Sequence, residues 1–314
     1  MPKFTVVIPL YNKEREIYKT LESVLKQTFI DYEVIIIDDG STDKSLVVAQ
    51  QFTDNRIKII KNPNEGVART RNIGIALSNA PFIAFLDADD LWLPNHLEII
   101  NRLIIDFPKH HWFAASYLKQ FSESHLVKMF SPLFNTNFNR GPVVDFFANS
   151  TVDCLAWTSA VVMEKAFIEN IGHFDSKITH GAGEDSDLWI RAALRSPLVF
   201  TKEITAIHKM DAENRISNTK IQLRNFINLD SYNEEAKANL SLKKYLDVFR
   251  FSIAIQYKIA GDLKTFKWYH QKIDLKNLNK KQILILKLPV KMLIQLLNFK
   301  KMLQNKGIYL TAFK

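Results

Sequence analysis

The sequence predicts an α/β protein with a mostly parallel central sheet, helices on both faces and a helical C-terminal region. Over about the first 100 residues, four short apolar runs alternate with segments of helical spacing, which is the pattern of a parallel sheet. Polar side chains follow the ends of these runs, where ligands of such sheets bind. From about residue 216 onwards the apolar spacing is helical.

Each element is predicted from its apolar spacing and its boundary residues. Short β-branched runs predict strands at 4–8, 33–37, 57–60, 82–86, 159–163 and 204–208. Helical spacing predicts helices at 14–26, 43–50, 67–77, 96–105, 221–230, 243–259 and 282–303. Residues 110–180 are less regular, and we expect a mixed sheet edge and loops there. A boundary near residue 230 gives two expected domains, 1–230 and 231–314.

The positive charge of the chain is concentrated in its last quarter. Residues 241–314 hold 16 Lys and Arg against 3 Asp and Glu, whereas the first 240 residues hold 26 against 30. Segment 287–301 combines apolar residues with flanking lysines. Two interpretations stay open for this segment. One is a helix lying on an anionic membrane surface, and the other is a helical bundle that buries Leu and Ile while the lysines stay solvated.

The cysteine content and the apolar runs indicate the compartment. The only cysteine is Cys154, so no internal disulfide can form and a reducing setting is expected. The apolar run at 4–10 is too short for a signal peptide, and no stretch reaches the roughly 18 to 20 apolar residues of a membrane span. We therefore expect a cytoplasmic protein, and the basic tail is compatible with a peripheral position on the inner face of the membrane.

Carboxylates follow two of the predicted strands. Asp39 can accept hydrogen bonds from a pyrimidine ring or a ribose, although Asp39 or Ser41 can equally cap a helix. Asp87 and Asp89 are separated by one residue, so both can face Mg²⁺ or Mn²⁺, which prefer oxygen ligands. Such an ion acts as a Lewis acid on a leaving diphosphate. The alternative is that Asp89 and Asp90 cap the next helix.

Further candidates lie at a helix entry and after a late strand. Asp185, next to Glu184 at a loop-to-helix junction, would be kept ionised by the helix dipole, as a general base must be. A capping role for either residue is the alternative. Arg71 lies in a basic turn that suits a phosphate or a ribose. His208 can offer a neutral imidazole to a metal, although a structural histidine is the commoner case.

Taken together, these segments resemble the family 2 glycosyltransferases, which are inverting enzymes with the GT-A fold. The resemblance covers about residues 3–210 and is strongest over the first 100, with matching order and spacing of the motifs. The segments that carry it are 7–12 (VIPLYN), 38–43 (DDGSTD), 64–74 (NEGVARTRNIG), 85–90 (FLDADD) and 183–191 (GEDSDLWIR).

The resemblance implies catalytic and metal-binding roles within domain 1–230. Asp185, with Glu184 beside it, would be the general base of a single in-line displacement that inverts the anomeric carbon. Asp89 would ligate Mg²⁺ or Mn²⁺. His208 is the least secure metal ligand, because the family pattern after this histidine is only loosely echoed by Arg215 and Ser217.

The resemblance also implies a nucleotide-sugar donor, of the UDP type more often than GDP or dTDP. Asp39 would contact the base, Asp87 would lie near the ribose and diphosphate, and Arg71 would be a basic group near the nucleotide. Pro9, Tyr11 and Glu14 would frame the nucleoside.

The sequence thus predicts a metal-dependent, hexosyltransferase-type enzyme. It would move a sugar from a nucleoside diphosphate to a hydroxyl of a glycan or lipid-linked acceptor in cell-surface polysaccharide synthesis. The alternative is a non-catalytic nucleotide-sugar-binding or scaffold protein of the same fold, against which the presence of Asp89 and Asp185 argues. A nucleotidyltransferase is disfavoured, because it would carry a Gly-rich phosphate loop near the N-terminus and segment 9–12 (PLYN) is unlike one. Nucleic-acid binding is also disfavoured, because the basic tail lacks interleaved stacking aromatics in a recognisable module.

Overall fold

The computed structural model describes residues 1–216, 219–305 and 311–313, without the side chains of Lys301 and Asn305. Its strands are β1 (Phe4–Leu10), β2 (Tyr32–Asp38), β3 (Ile57–Lys61), β4 (Phe82–Phe85), β5 (Leu91–Trp92), β6 (Trp112–Ser122), β7 (His125–Lys128), β8 (Arg140–Pro142), β9 (Val161–Glu164) and β10 (Val199–Lys209). Its α-helices are α1 (Ile17–Leu25), α2 (Ser45–Ala49), α3 (Val67–Leu77), α4 (His96–Asp106), α5 (Phe146–Asn149), α6 (Lys165–Ile171), α7 (Glu184–Ala193), α8 (Asn233–Ala238), α9 (Leu240–Ile259), α10 (Leu263–Gln271), α11 (Lys280–Lys287) and α12 (Val290–Asn305). The predicted α/β class and helical C-terminal region are confirmed.

The first half of the sheet is parallel, as predicted. The strand order is β3-β2-β1-β4-β9-β6-β10-β5, and β3, β2, β1 and β4 all run in the same direction. In the centre of this half, Val6 lies opposite Val34 on one side and opposite Ala84 on the other. β2 is buried along its whole length, which is expected of a parallel strand covered on both faces. The carboxyl ends of β1, β2 and β4 therefore meet at one edge.

The second half of the sheet is mixed, as expected, but it contains more strand residues than the sequence predicts. β9 runs antiparallel between β4 and β6, and β10 runs parallel to β6. The sequence misses β6, an 11-residue strand, and predicts only the central part of β10. This arrangement brings the end of β10 to the segment that follows β4, where the Lys209 backbone N–H donates to Asp90 at 3.0 Å.

Helix α3 packs against β1 and β2 through a glycine. A Cβ atom at Gly74 would lie 2.4 Å from Cγ1 of Val7 on β1. Only glycine permits the backbone of α3 to approach the sheet this closely. The first turn of α3 is consequently held beside the ends of β1 and β2.

The chain divides into two compact units. The first comprises residues 1–129, 136–146 and 155–227, and the second comprises residues 130–135, 147–154 and 228–314. The predicted boundary near residue 230 stays a prediction.

The second unit consists mainly of helices α8 to α12. Its core includes Val248, Phe251, Ile273, Leu278 and Leu286. The predicted helix 221–230 is wrong, because only short 3₁₀ turns form at 221–223 and 229–232. The predicted helix 282–303 is two helices, α11 and α12, because a proline at residue 289 lacks the N–H needed to continue the first.

Helix α12 is mostly not covered within the described residues. Leu293 is buried, but a set of large apolar side chains is between 42% and 50% exposed. This set, the α12 apolar residues, comprises Met292, Ile294, Leu296, Leu297, Phe299 and Met302. In the described ranges 1–216, 219–305 and 311–313, we find no helix with the length and apolarity to cross a bilayer.

Candidate active site

Asp39 lies directly after β2 and anchors the start of α3. Its two carboxylate oxygens accept the backbone N–H groups of Glu65 and Gly66, each at 2.9 Å. Gly66 has a φ of 90°, which favours glycine at this turn. Asp39 is therefore bound to α3, not to the following helix α2. Since a carboxylate has about four acceptor positions, both oxygens keep capacity for a ligand.

The loops after β1 and β2 are bonded to each other. Asn12 accepts the Thr42 N–H at 2.8 Å, and Glu14 accepts the Lys44 N–H at 2.9 Å. Pro9 is paired within β1, whereas Tyr11 is 45% exposed beyond the strand end. Beside these loops lies a polar cavity of about 140 Å³, lined by Asn12, Glu14, Arg15, Glu16, Asp43, Glu213 and Asn214.

Arg71 connects two of the predicted site carboxylates. This buried residue of α3 donates to Asp87 at 2.7 Å and to Glu184 at 3.2 Å. Burial disfavours the charged guanidinium, but Asp87 and then Glu184 outweigh that effect and raise the pKa of Arg71. Arg71 thus stays charged and joins residues that are 113 positions apart in sequence.

Glu184 and Asp185 begin helix α7 in different environments. Glu184 is buried, and its Oε2 atom has no hydrogen-bond partner among the residues that the structure describes. Burial, followed by the charge of Asp185, raises the pKa of Glu184 to about 7 despite the opposing effect of Arg71. Asp185 is only half-buried and accepts the Ser186 N–H at 2.6 Å and the Thr158 hydroxyl at 3.4 Å. Asp185 is therefore the more accessible of the two carboxylates.

The carboxylates after β4 do not cap α4. Asp89 forms an ion pair with Lys13 at 2.7 Å, and Asp90 accepts the Ser159 hydroxyl at 2.6 Å. The residue preceding α4 is Asn95. The capping alternative is therefore wrong for Asp89 and Asp90. Burial, and then the charges of Asp89 and Asp87, raise the pKa of Asp90 well above its ordinary value.

His208 lies at the end of β10 among aromatic rings. Its ring stacks on Trp157 with centroids 4.8 Å apart, and Nε2 lies 3.1 Å from the Arg215 guanidinium. Burial, and then Arg215, lower the pKa of His208 to about 3. The imidazole is consequently neutral near pH 7. Ser217 falls outside the described residues.

The structure brings most predicted site residues into one network. The Asp87 N–H donates to the Ser159 hydroxyl at 3.1 Å, and this hydroxyl in turn donates to Asp90. The hydrogen-bond network comprises Arg71, Asp87, Ser159, Asp90 and Glu184, and Asp89, Asp185 and His208 are chain neighbours of Asp90, Glu184 and Lys209. Pro9, Tyr11, Glu14 and Asp39 lie at the neighbouring ends of β1 and β2.

Four contributors to this network were missed by sequence reasoning. Lys13 follows Asn12 at the end of β1, a position that the strand pattern already placed at the ligand edge. The other three contributors lie at the start of the predicted strand 159–163, so their position next to a strand end could have been noted. They are Trp157, Thr158 and Ser159. Their roles depend on contacts between distant segments.

The donor set suits a divalent metal with few protein ligands. A carboxylate at Asp89 and a neutral imidazole at His208 are suitable donors for Mn²⁺ or Mg²⁺. Over the described part of the chain, no group of three or more His, Cys, Asp or Glu side chains has metal-binding geometry. A metal here would therefore take its remaining ligands from diphosphate oxygens and water.

The comparisons with known proteins agree with this arrangement. Residues 5–150 match the family model described as "Glycosyl transferase family 2". An uncharacterized glycosyltransferase of Rickettsia bellii is 32% identical over 234 residues, covering 73% of this chain and 32% of the relative. The Escherichia coli UDP-Glc:alpha-D-GlcNAc-diphosphoundecaprenol beta-1,3-glucosyltransferase WfgD is 40% identical over 96 residues, which is 30% of this chain and 38% of that protein. The chain spans about a third of the length of its first curated relatives.

A solved structure shows the same fold at low sequence identity. The crystal structure of residues 1–349 of Staphylococcus aureus TarS, in complex with UDP-GlcNAc, gives a TM-score of 0.60 at 18% identity. The match covers 88% of this chain and 74% of the TarS chain.

The sheet order and the acidic residues at its carboxyl edge define a protein of the GT-A class. With the match over residues 5–150, the family is clear: this chain belongs to the family 2 glycosyltransferases.

Proposed function

We propose that this chain is an inverting glycosyltransferase. It transfers a sugar from a nucleoside-diphosphate donor, UDP-sugars first among them, to a hydroxyl of a glycan or lipid-linked acceptor. The observation that carries the proposal is the network in which Arg71 holds Asp87 and Glu184 beside Asp185. Glycosyl transfer needs a site for the diphosphate next to a carboxylate that can accept the acceptor proton, and this network supplies both.

Asp185 acts as the general base. It is half-buried at the start of α7, where the helix dipole favours an ionised carboxylate. Glu184 is enclosed and bonded to Arg71, so it supports the site without reaching the acceptor. Proton removal by Asp185 accompanies attack of the acceptor oxygen on the anomeric carbon, and the bond to the diphosphate breaks on the opposite face. A single displacement of this kind inverts the configuration.

The donor lies along the carboxyl ends of β1, β2 and β4. Asp39 accepts a hydrogen bond from the base through its remaining acceptor positions, and Pro9, Tyr11 and Glu14 frame the nucleoside. Arg71 and Asp87 lie nearer the ribose and diphosphate. The TarS structure with the same fold contains UDP-GlcNAc, which supports a UDP-sugar as the first donor to test.

Mg²⁺ or Mn²⁺ is the cofactor that this proposal includes. Asp89 and His208 would hold the ion, which when bound stabilises the negative charge of the leaving diphosphate. Turnover of a UDP-sugar should stop in excess EDTA and return with added Mn²⁺. Full activity in EDTA would remove the metal from the proposal and leave Asp185 in place.

The decisive experiment compares two carboxylates of helix α7. Asp185→Asn should bind the donor in calorimetry as the wild type does, while its turnover falls about 10²- to 10⁴-fold because the base is lost. Asp187→Asn is the matched control, since Asp187 is paired with Arg191 on the same helix. Equal turnover by wild type and Asp185→Asn would place the base elsewhere. Donor binding without any turnover by the wild type would favour the non-catalytic scaffold alternative.

Donor and acceptor can be separated experimentally. A panel of UDP-, GDP- and dTDP-sugars, tested for thermal stabilisation and Mn²⁺-dependent hydrolysis, identifies the donor. The E. coli relative acts, by its name, on a diphosphoundecaprenol-linked sugar, so a lipid-linked glycan is the first acceptor to test. An acceptor of this kind fits a role in cell-surface polysaccharide synthesis on the cytoplasmic side of the membrane.

The proposal also includes peripheral contact of the C-terminal region with an anionic membrane. Residues 275–314 contain lysines but no Asp or Glu, and the α12 apolar residues are close to half exposed. Exposed apolar side chains among lysines favour binding to anionic lipid surfaces. The bundle interpretation accounts for Leu286 and Leu293, which are buried, but not for the α12 apolar residues.

Vesicle sedimentation tests this contact. At low salt the protein should sediment with vesicles of phosphatidylglycerol and phosphatidylcholine, and the double variant Leu296→Glu/Phe299→Glu should stay in solution. Leu240→Glu is the control, because Leu240 is 82% exposed at the start of α9. Equal sedimentation of both variants would argue against α12 as the contact surface.

A further inference from the structure

Lys13 occupies an unusual position for a lysine. Its side chain is only 11% exposed, and its ammonium contacts the Asp89 carboxylate at 2.7 Å. The same nitrogen also lies 2.7 Å from the Glu213 carbonyl and 3.3 Å from the Asn214 carbonyl. An ammonium group has three donors, so these contacts satisfy all of them.

Each carboxylate near Asp89 has a different partner. Asp87 is paired with Arg71, and Asp90 accepts the Ser159 hydroxyl and the Lys209 N–H. Within the described residues, Lys13 is the only ion-pair partner of Asp89. The charge of Asp89 is therefore balanced by a side chain from the loop after β1, 76 positions away.

We propose that Lys13 is an internal counter-cation that competes with a divalent metal for Asp89. The proposal rests on the proposed function in that it takes Asp89 as a metal ligand. A divalent cation on the Asp89 carboxylate would repel the ammonium that lies 2.7 Å from Oδ2, so metal binding favours displacement of Lys13. Displacement also breaks the hydrogen bonds from Lys13 to the carbonyls of residues 213 and 214.

Two consequences follow for the donor-free protein. Its affinity for the metal is lowered, because part of the metal's binding free energy is used to break a charge-assisted hydrogen bond. The 213–214 segment loses its bonds to Lys13 when the metal arrives, but Glu213 still holds it to the loop after β1 through Arg15 and through the Glu16 carboxylate. Metal binding and loss of the Lys13 bonds to this segment are thus coupled, and each favours the other.

Calorimetric titration of the donor-free protein with Mn²⁺ tests the competition. Lys13→Met should bind Mn²⁺ about tenfold more tightly than the wild type, equivalent to about 1.4 kcal/mol. Lys13→Gln keeps amide N–H donors for the two carbonyls but has no charge, so it should show the same gain. Lys58→Met is the matched control: Lys58 pairs with the mostly buried Glu33 at 2.9 Å, away from the site, and its loss should leave Mn²⁺ affinity unchanged.

The outcomes separate this inference from the proposed function. Measurable Mn²⁺ affinity that is equal in the wild type and in both Lys13 variants would overturn the competition and leave the metal site standing. Absence of Mn²⁺ binding in all proteins would overturn both the competition and the metal. If only Lys13→Gln binds Mn²⁺ more tightly than the wild type, the competition is still supported. That result would mean that Lys13→Met, which has no donor for the carbonyls of residues 213 and 214, disturbs the site itself.

Discussion

Replacing Arg71 by methionine removes a buried cation that stands between two carboxylates. Arg71→Met leaves Asp87 and Glu184 without the guanidinium that now lies 2.7 Å and 3.2 Å from them. Removing one partner of a buried ion pair lowers the free energy of unfolding by about 3–5 kcal/mol, because the other partner is left as an uncompensated buried charge. We expect a loss in this range at pH 8.

The loss should be smaller in mild acid. The pKa of Glu184 is already raised to about 7, and it rises further without Arg71. A group with a raised folded-state pKa contributes its full stability below its ordinary pKa and loses it as the pH rises through the folded-state value. Since each pKa unit corresponds to about 1.4 kcal/mol, the deficit of Arg71→Met at pH 5.5 should be roughly 1–2 kcal/mol less than at pH 8.

Urea unfolding followed by tryptophan fluorescence measures this deficit. Four of the five tryptophans lie in the first unit, so the signal reports mainly on that unit: Trp92, Trp112, Trp157 and Trp189. The double variant Arg71→Met/Glu184→Gln should recover part of the stability at pH 8, because the unpaired charge is gone. An equal deficit at both pH values would refute the electrostatic account and indicate that Arg71 contributes mainly packing.

Three further predictions concern other buried positions. Gly74→Ala should lower the free energy of unfolding by about 1–3 kcal/mol, because the new methyl group overlaps Val7. In thermal melts, the double variant Gly74→Ala/Val7→Ala should recover part of the lost stability, because the smaller side chain makes room for the methyl group. Burial lowers the pKa of His96 to about 3, so His96 stays neutral in the folded protein while it gains a proton in the unfolded chain below about pH 6.5. The free energy of unfolding therefore falls as the pH falls below about 6.5. His96→Leu should reduce this pH dependence between pH 4 and 6.5 by up to about 1.4 kcal/mol per pH unit. Asp247→Ala should destabilise the second unit by about 3 kcal/mol, the low end for a broken buried ion pair, because buried Arg250 loses the carboxylate 3.1 Å away but keeps Asp230 at 3.0 Å. Hydrogen exchange in α9 measures the change.

The parallel half of the sheet could be predicted because its pattern is local. Each of β1 to β4 is a short apolar run, and the polar residues that follow necessarily fall at one edge. Strand β6 escaped prediction because its buried first half, residues 112–117, has the sequence WFAASY and contains no β-branched residue. The rest of the site arises from contacts such as Lys13 to Asp89, which depend on how two loops meet.

The helix predicted at 221–230 shows how distant pairing overrides local spacing. Its apolar residues have helical spacing, but the backbone makes other hydrogen bonds. Asn225 exchanges hydrogen bonds with Thr179, and the Ile227 N–H donates to the Ala182 carbonyl at 3.1 Å. These bonds attach the segment to the loop before α7, and a helix would have to break them.

The order of the strands has a consequence for how the chain is made. β9 and β10, which flank β6, come from residues 161–209, after the segment that matches the family model. A nascent chain ending at residue 150 would present the open edge of β4 and a strand β6 that is paired only with β7. Because exposed strand edges template aggregation, the protein is most vulnerable during synthesis between residues 150 and 209. We therefore expect that residues 5–150, which the family model matches, do not fold alone, and that a truncation at residue 150 would remove β9 and β10 from the sheet.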